Sequence, residues 1–343
     1  MSLTSEQIYQ TTLGYFLAPI KALMDDESVR EIMINGASEV WVEQGGGLKR
    51  SDVTFTDEMQ LHAAVTNLAQ YVGLRLEADT ARFDARLPQG HRVHVVLPPV
   101  SRVGISITIR KHSKSSLALA DLVASGSLSK EAEELLRGAT HLEKNMIISG
   151  GTGTGKTTFI NALSELIPDH DRIVTIEDAA ELQLSQEHVV SLETRPPNRA
   201  GEGAVTIRDL LHSSLRMRPD RIIVGECRGG EALDLLQAMN TGHGGSMSTV
   251  HANTPLESLR RLETLALFAG EEIPLRFLRA QVAAAVHIVI QLQRVGGKRS
   301  VASIAEVLPL TDEGEYAVAE LFTHDFRSEK LVELTAPTFA DRL

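Results

Sequence analysis

At 343 residues the chain exceeds the roughly 150 residues of one ordinary core, so two domains are expected. A hydrophobic fraction of 43% with 23% charged residues belongs to a globular protein and excludes wholesale disorder. The net charge, 34 − 45 = −11, argues against nucleic acid as the principal partner, and one cysteine, Cys227, excludes internal disulfides and a cysteine-rich zinc module. MSLTSEQIYQ lacks the charged-then-apolar order of an export signal. The most apolar stretch, AQVAAAVHIVIQLQ, is broken by His287 and Gln291, short of the roughly 18 apolar residues of a membrane span. A soluble cytoplasmic protein is expected.

Residues from about 20 to 111 read as a small α+β unit. SVREIMING has the pattern of a short helix running into a turn, and EVWVEQGGGLKR that of a hairpin around Gly45, Gly46 and Gly47. DEMQLHAAVTNLAQYVG places Leu61, Val65, Leu68 and Val72 at helical spacing, with Gly73 as the stop. HRVHVVLPPV and GISITIRK alternate apolar and polar residues as half-buried strands do. KHSKSSLALADLVASGSLSK mixes Lys, Ser and Gly and reads as a linker. The expected organisation is an N-terminal α+β domain at 1–111, a linker at 112–130 and a second domain at 131–343.

In the second domain, the apolar strands NMIIS, RIVTIE and RIIVGE alternate with the helical segments TTFINALSELI and EALDLLQAM. Such alternation predicts a parallel sheet covered by helices on both faces. From about Arg299 onward, VASIAEVLPL and YAVAELFTH read as strands of a small closing sheet.

Between NMIIS and TFINALSELI lies GGTGTGKTT: Gly150, Gly151, Thr152, Gly153, Thr154, Gly155, Lys156, Thr157 and Thr158. It fits the phosphate-loop pattern through Gly150, Gly155, Lys156 and Thr157. The glycines let backbone N–H groups converge on phosphate oxygens, Lys156 would reach the β and γ phosphates, and the Thr157 hydroxyl would ligate magnesium. A strand before the loop and a helix after it put the phosphates at a helix N-terminus, where the dipole favours anions. ATP and Mg2+ are the expected ligands.

Two later strands end in carboxylates, RIVTIE at Glu177 and Asp178 and RIIVGE at Glu226. Ligands in open α/β sheets bind at this edge, so these groups are candidates to hold the magnesium shell or orient the attacking water. Gly225 stands where such ATPases usually carry an aspartate, which leaves Glu226 as the water-orienting base of its strand. Glu177 or Asp178 would support the metal, with their separate roles open. TGHGGSMSTVHAN contributes His243 and His251, read as γ-phosphate-sensing imidazoles in preference to a structural histidine or a zinc site, whose ligand spacing they do not match.

RMRPDRIIVGECRGGEALDLLQAMNTGHGGSMSTVHANTP resembles the motor core of the type II/type IV secretion ATPases. LETRPPN and VTIRDLLHSSLRMRPDRIIVGE are most similar to the Tad/Flp pilus assembly branch. The resemblance spans about residues 15–310 through the phosphate loop, the acidic box at Glu177 and Asp178, Glu226, and the histidine box. It implies an α/β fold, a RecA-like P-loop motor preceded by a smaller PAS-like α+β domain. It also implies a ring of six copies, ATP bound between the domains, and arginines of the N-terminal domain completing the site. FDARLPQGHRVHVV matches the arginine-bearing turn and strand and nominates Arg86 and Arg92, with Arg102 and Arg110 on neighbouring strands as further candidates. One departure is His243-Gly244-Gly245, where the branch more often has Asp between His and Gly.

The function so implied is an ATP-hydrolysing motor for Tad/Flp-type pilus assembly or related secretion. It would work at the cytoplasmic face of a bacterial inner membrane, touching the membrane only peripherally and through platform proteins. A conjugative type IV secretion motor is the alternative within the family. A RecA-like nucleic-acid motor and a non-hydrolysing nucleotide sensor are the alternatives outside it.

Overall fold

Two units make up the chain, Met1–Ser115 and Ser116–Leu343. The computed structural model describes residues 12–77, 79–112, 117–198, 201–295, 297–325 and 330–342, so the segment read for an export signal lies outside the described residues.

The first unit comprises α1 (Lys21–Asp25), β1 (Val29–Asn35), β2 (Val40–Gln44), β3 (Gly47–Ser51), α2 (Glu58–Tyr71), β4 (Arg82–Arg86), β5 (Arg92–Val96) and β6 (Ser106–Arg110). Its sheet runs β3-β2-β1-β6-β5-β4, and each neighbouring pair is antiparallel. SVREIMING, expected as a helix, is instead the central strand β1. Pairing with β2 on one side and β6 on the other satisfies its backbone, and Ile32 and Ile34 are buried against the core. Long-range pairing of β-branched residues outweighed the local pattern there. Gln44 pairs with Gly47, leaving Gly45 and Gly46 as a tight turn with φ of 61° and 81°, a conformation that favours glycine. Helix α2 starts at Asp57, whose carboxylate accepts the Gln60 N–H at 2.8 Å, and it buries Leu61, Val65 and Leu68. It ends at Gly73, with φ +72°, and Val72 falls off the buried stripe.

The second unit opens with α3 (Leu119–Ala124), α4 (Lys130–His141), β7 (Met146–Gly150), α5 (Lys156–Ser164), β8 (Ile173–Glu177), β9 (Val189–Glu193), α6 (Ile207–Ser214) and β10 (Arg221–Val224). It continues with α7 (Glu231–Asn240), β11 (Met247–Val250), α8 (Pro255–Leu267), α9 (Leu275–Ala285), β12 (Ile288–Val295), β13 (Lys298–Leu308), β14 (Ala317–Asp325) and β15 (Lys330–Glu333). One sheet takes every strand, in the order β15-β14-β13-β12-β7-β11-β10-β8-β9. From β12 to β9 neighbours are parallel, and from β12 to β15 they are antiparallel. Along β7, Ile148 packs into the core beneath α4 and α5, while Ile147 packs into the opposite core beneath α7, α8 and α9. Burial on both faces explains why these strands read as continuous apolar runs.

Two expectations change here. The C-terminal strands are no separate closing sheet; β13 pairs with β12 and extends the motor sheet. Residues 113–116 of the expected linker lie outside the described residues, but Leu119 and Leu128 farther along it are buried in the core of the second unit. AQVAAAVHIVIQLQ divides at Val286 into the end of α9 and the start of β12. Among the described residues no helix is long and apolar enough to cross a membrane.

Candidate active site

Strand β7 delivers the phosphate loop to the sheet edge. At Gly150 a Cβ would lie 2.6 Å from Thr154 Oγ1 and 2.9 Å from the Leu292 carbonyl oxygen, so only glycine fits. Gly155, with φ +95°, caps α5 in a left-handed conformation, and Lys156 and Thr157 follow in its first turn. Thr154 Oγ1 donates to the Gly151 carbonyl at 2.9 Å, bracing the loop. Thr152 and Gly153 stand exposed at its tip, and Thr157 and Thr158 are half-buried. This is a strand-to-helix cradle for an anion with its amides at a helix N-terminus.

Lys156 Nζ donates to the carbonyls of Gly150 and Gly151 at 2.9 and 3.1 Å. It lies 3.4 Å from both ring nitrogens of His251, in line with neither. Burial holds the Lys156 ammonium below the usual lysine range, opposed by the Glu226 charge. His251 Nε2 sits 2.5 Å from Glu226 Oε1, and the other carboxylate oxygen accepts Arg228 Nε at 2.6 Å. Burial, followed by the Lys156 charge, lowers the His251 pKa, which favours the neutral imidazole. The Arg228 guanidinium also reaches Asp178 at 3.3 Å. Parallel strands explain the convergence. Val250 of β11 lies beside Ser149 of β7, and Val224 of β10 lies beside Ser248 of β11, so the residues that follow each strand meet at one edge.

Glu177 reaches the same edge, but its buried carboxylate is turned to the chain that follows. Its Oε1 accepts the N–H groups of Glu181 and Leu182 at 2.9 and 3.1 Å. Asp178, next in sequence, is the more exposed of the two. His243 lies at the other end of its strand. It precedes β11, whereas the phosphate loop follows the parallel strand β7, and a four-residue strand separates the two edges by about 13 Å. His243 Nδ1 lies 3.3 Å from the Ala238 carbonyl. At Gly244, where the branch more often has Asp, a Cβ would lie 3.1 Å from Glu143, a tight contact.

In the first unit Arg86 pairs with Arg92, and Arg92 with Arg110, so these three arginines form one row across β4, β5 and β6. Arg102 is not on a strand. It occupies the turn between β5 and β6, at the end of those strands opposite Arg92 and Arg110.

Sequence reasoning missed two basic residues at the loop. Arg299 Nε donates to the Gly153 carbonyl at 3.0 Å, and Arg294 Nη1 lies 3.7 Å from where a Cβ on Gly153 would be. The signal was present in RVGGKRS, a glycine turn flanked by cations, but only the sheet order reveals that it borders β7.

Comparison with known proteins identifies the family and the fold. The family described as Type II/IV secretion system protein matches residues 16–318. The conjugal transfer protein TrbB of Rhizobium radiobacter is 37% identical over 292 residues, covering 83% of this chain and 85% of its own. The type IV secretion system protein PtlH of Bordetella pertussis is 33% identical over 313 residues, covering 84% and 92%. Among solved structures, the Legionella pneumophila ATPase DotB superposes with a TM-score of 0.60 at 20% identity, covering 89% of this chain and 82% of that one, a likeness of fold.

Proposed function

The chain belongs to the type II/IV secretion system protein family, whose members are ATPases, and we propose that it is the ATP-hydrolysing motor of a conjugal-transfer-type secretion machine. The observation that carries the enzymatic part is the meeting of Lys156, Glu226 and His251 at the mouth of the phosphate loop. Lys156 and the loop amides bind the β and γ phosphates. Glu226, steered by Arg228 and His251, orients the attacking water and accepts its proton. The neutral His251 ring monitors the γ-phosphate end. Bound Mg2+ would neutralise charge on the β and γ phosphates. The residues fit it, since Thr157 sits in the first turn of α5 and the partly exposed Asp178 supplies a carboxylate at the same sheet edge. Glu177, engaged by backbone amides, positions that edge.

The pilus-assembly reading suggested by LETRPPN gives way to the conjugative one, because TrbB and PtlH carry conjugal-transfer and type IV secretion names. Six copies in a ring, with Arg86, Arg92 and Arg110 completing ATP sites, is the assembly we infer from the family resemblance. Its place is the cytoplasmic face of a bacterial inner membrane, held by membrane-embedded partners of the machine.

Purified protein is expected to hydrolyse MgATP slowly, and Lys156→Ala to lose both binding and turnover. Unchanged ATP affinity in Lys156→Ala would refute the loop's role. Mixing an Arg86→Ala/Arg92→Ala protein with Lys156→Ala should restore activity if the arginines act across subunits, and full activity of the arginine variant alone refutes their part. The membrane protein that co-purifies separates the machines, and a pilus-assembly platform would return the function to the Tad/Flp reading.

A further inference from the structure

We propose that Arg294 and Arg299, on the β12–β13 hairpin, form a second cationic arm of the phosphate-loop site and bind the polyphosphate of its nucleotide together with Lys156. The inference rests on the nucleotide reading of the loop given above. Strand β12 runs parallel to β7 with Leu292 beside Gly150. Strand β7 ends there, while β12 continues to Val295 before its chain turns back into β13 at Lys298, so the hairpin overhangs the loop.

Arg294 and Arg299 are direct partners across this antiparallel pair, which places their side chains on one face of the sheet. That face is the loop's. Arg299 Nε donates to the Gly153 carbonyl at 3.0 Å, and its Cδ lies 3.3 Å from the position of a Cβ on Gly155. Arg294 Nη1 lies 3.7 Å from the corresponding position on Gly153. Gly155 therefore serves two purposes, positive φ in the loop and room for the Arg299 stem.

The chemistry of this arrangement selects a polyanion. Two guanidinium groups set directly across a strand pair lie side by side, where one phosphate chain can meet both. Each guanidinium carries five N–H donors in a plane, so anchoring Arg299 through Nε is compatible with further contacts from its Nη atoms. Planar forks match phosphate oxygens two at a time, which a lysine does not. Lys298, one residue from Arg299, points to the other face by strand alternation and is the internal control.

The test is to titrate MgATP, MgADP and AMP onto the full chain and its variants, with thermal unfolding followed in parallel. Arg294→Ala/Arg299→Ala should weaken ATP and ADP at least tenfold, AMP less than threefold, and Lys298→Ala should stay within twofold of wild type for all three. Should the double variant fail to fold, Arg294→Gln and Arg299→Gln taken singly should each weaken ATP about threefold or more. A folded double variant with wild-type ATP affinity overturns the proposal, as does Lys298→Ala weakening ATP as much as the pair. A wild-type chain that binds no ATP sinks the nucleotide reading itself, whereas ATP bound equally by wild type and double variant sinks only the arginine arm.

Discussion

Glu177 stands directly across a parallel strand pair from Gly225. Ile176 pairs with Val224, the Gly225 N–H donates to the Ile176 carbonyl at 2.9 Å, and a Cβ on Gly225 would come within 3.0 Å of Glu177 Cγ. The glycine that replaces the usual aspartate is therefore the space in which the Glu177 side chain lies. Gly225→Ala is expected to push Glu177 off the Glu181 and Leu182 amides and to cost about 1–3 kcal/mol in urea unfolding. In a Glu177→Ala background the same change should cost clearly less, because the crowded atoms are gone. Strictly additive free energies in that cycle would refute the coupling.

Glu226 is mostly buried between Arg228 and His251, with one oxygen toward each. Glu226→Gln keeps size and shape but loses the base. It is expected to retain ATP binding and to lower kcat by about two orders of magnitude or more. Steady-state hydrolysis beside equilibrium ATP binding checks this, and a near-normal kcat would move the role to Glu177 or Asp178.

Gly245 supports the far edge of the same strand. Its φ is +71°, and a Cβ there would fall 1.5 Å from Arg221 Nη1. Arg221 is buried and bound through Nε to Asp171 at 2.7 Å, so it has no room to move. Gly245→Ala should therefore cost about 3 kcal/mol or more through a broken buried ion pair. At Gly242, φ is +98° but nothing lies within 4 Å of the Cβ position, and Gly242→Ala should cost only the left-handed strain of about 1–2 kcal/mol. Equal melting temperatures for the two variants would contradict this account.

His287 Nδ1 accepts the Asn145 N–H at 2.9 Å, which requires an unprotonated nitrogen. Burial, then the Lys144 charge, lowers its pKa in the folded state. As pH falls below about 6.5 the unfolded chain takes up this proton first, so stability present above that pH declines toward the folded value. His251, lowered by burial and Lys156, acts in the same direction. The melting temperature is expected to fall between about pH 7.5 and 5.5, and His287→Asn, which keeps an acceptor, should flatten part of that slope. An unchanged slope in His287→Asn would assign the effect elsewhere.

The phosphate loop was legible from residues alone because its chemistry is local: glycine spacing, one lysine, one threonine, and a strand-helix setting in unbroken sequence. The α/β alternation and the hairpin at Gly45 and Gly46 were legible for the same reason. What sequence could not decide was anything set by strands meeting at a distance. Only parallel pairing of β11 with β7 separates His251 from His243, two histidines of one motif, by putting them at opposite edges of the sheet. Only the placement of β12 beside β7 brings Arg294 and Arg299 to the loop, and only β8 beside β10 explains Gly225. SVREIMING misled for the matching reason, since its strand form depends on partners on both sides. Short-range stereochemistry is written in neighbouring residues, whereas the sheet order that assembles a site is chosen by burying all of its apolar faces at once.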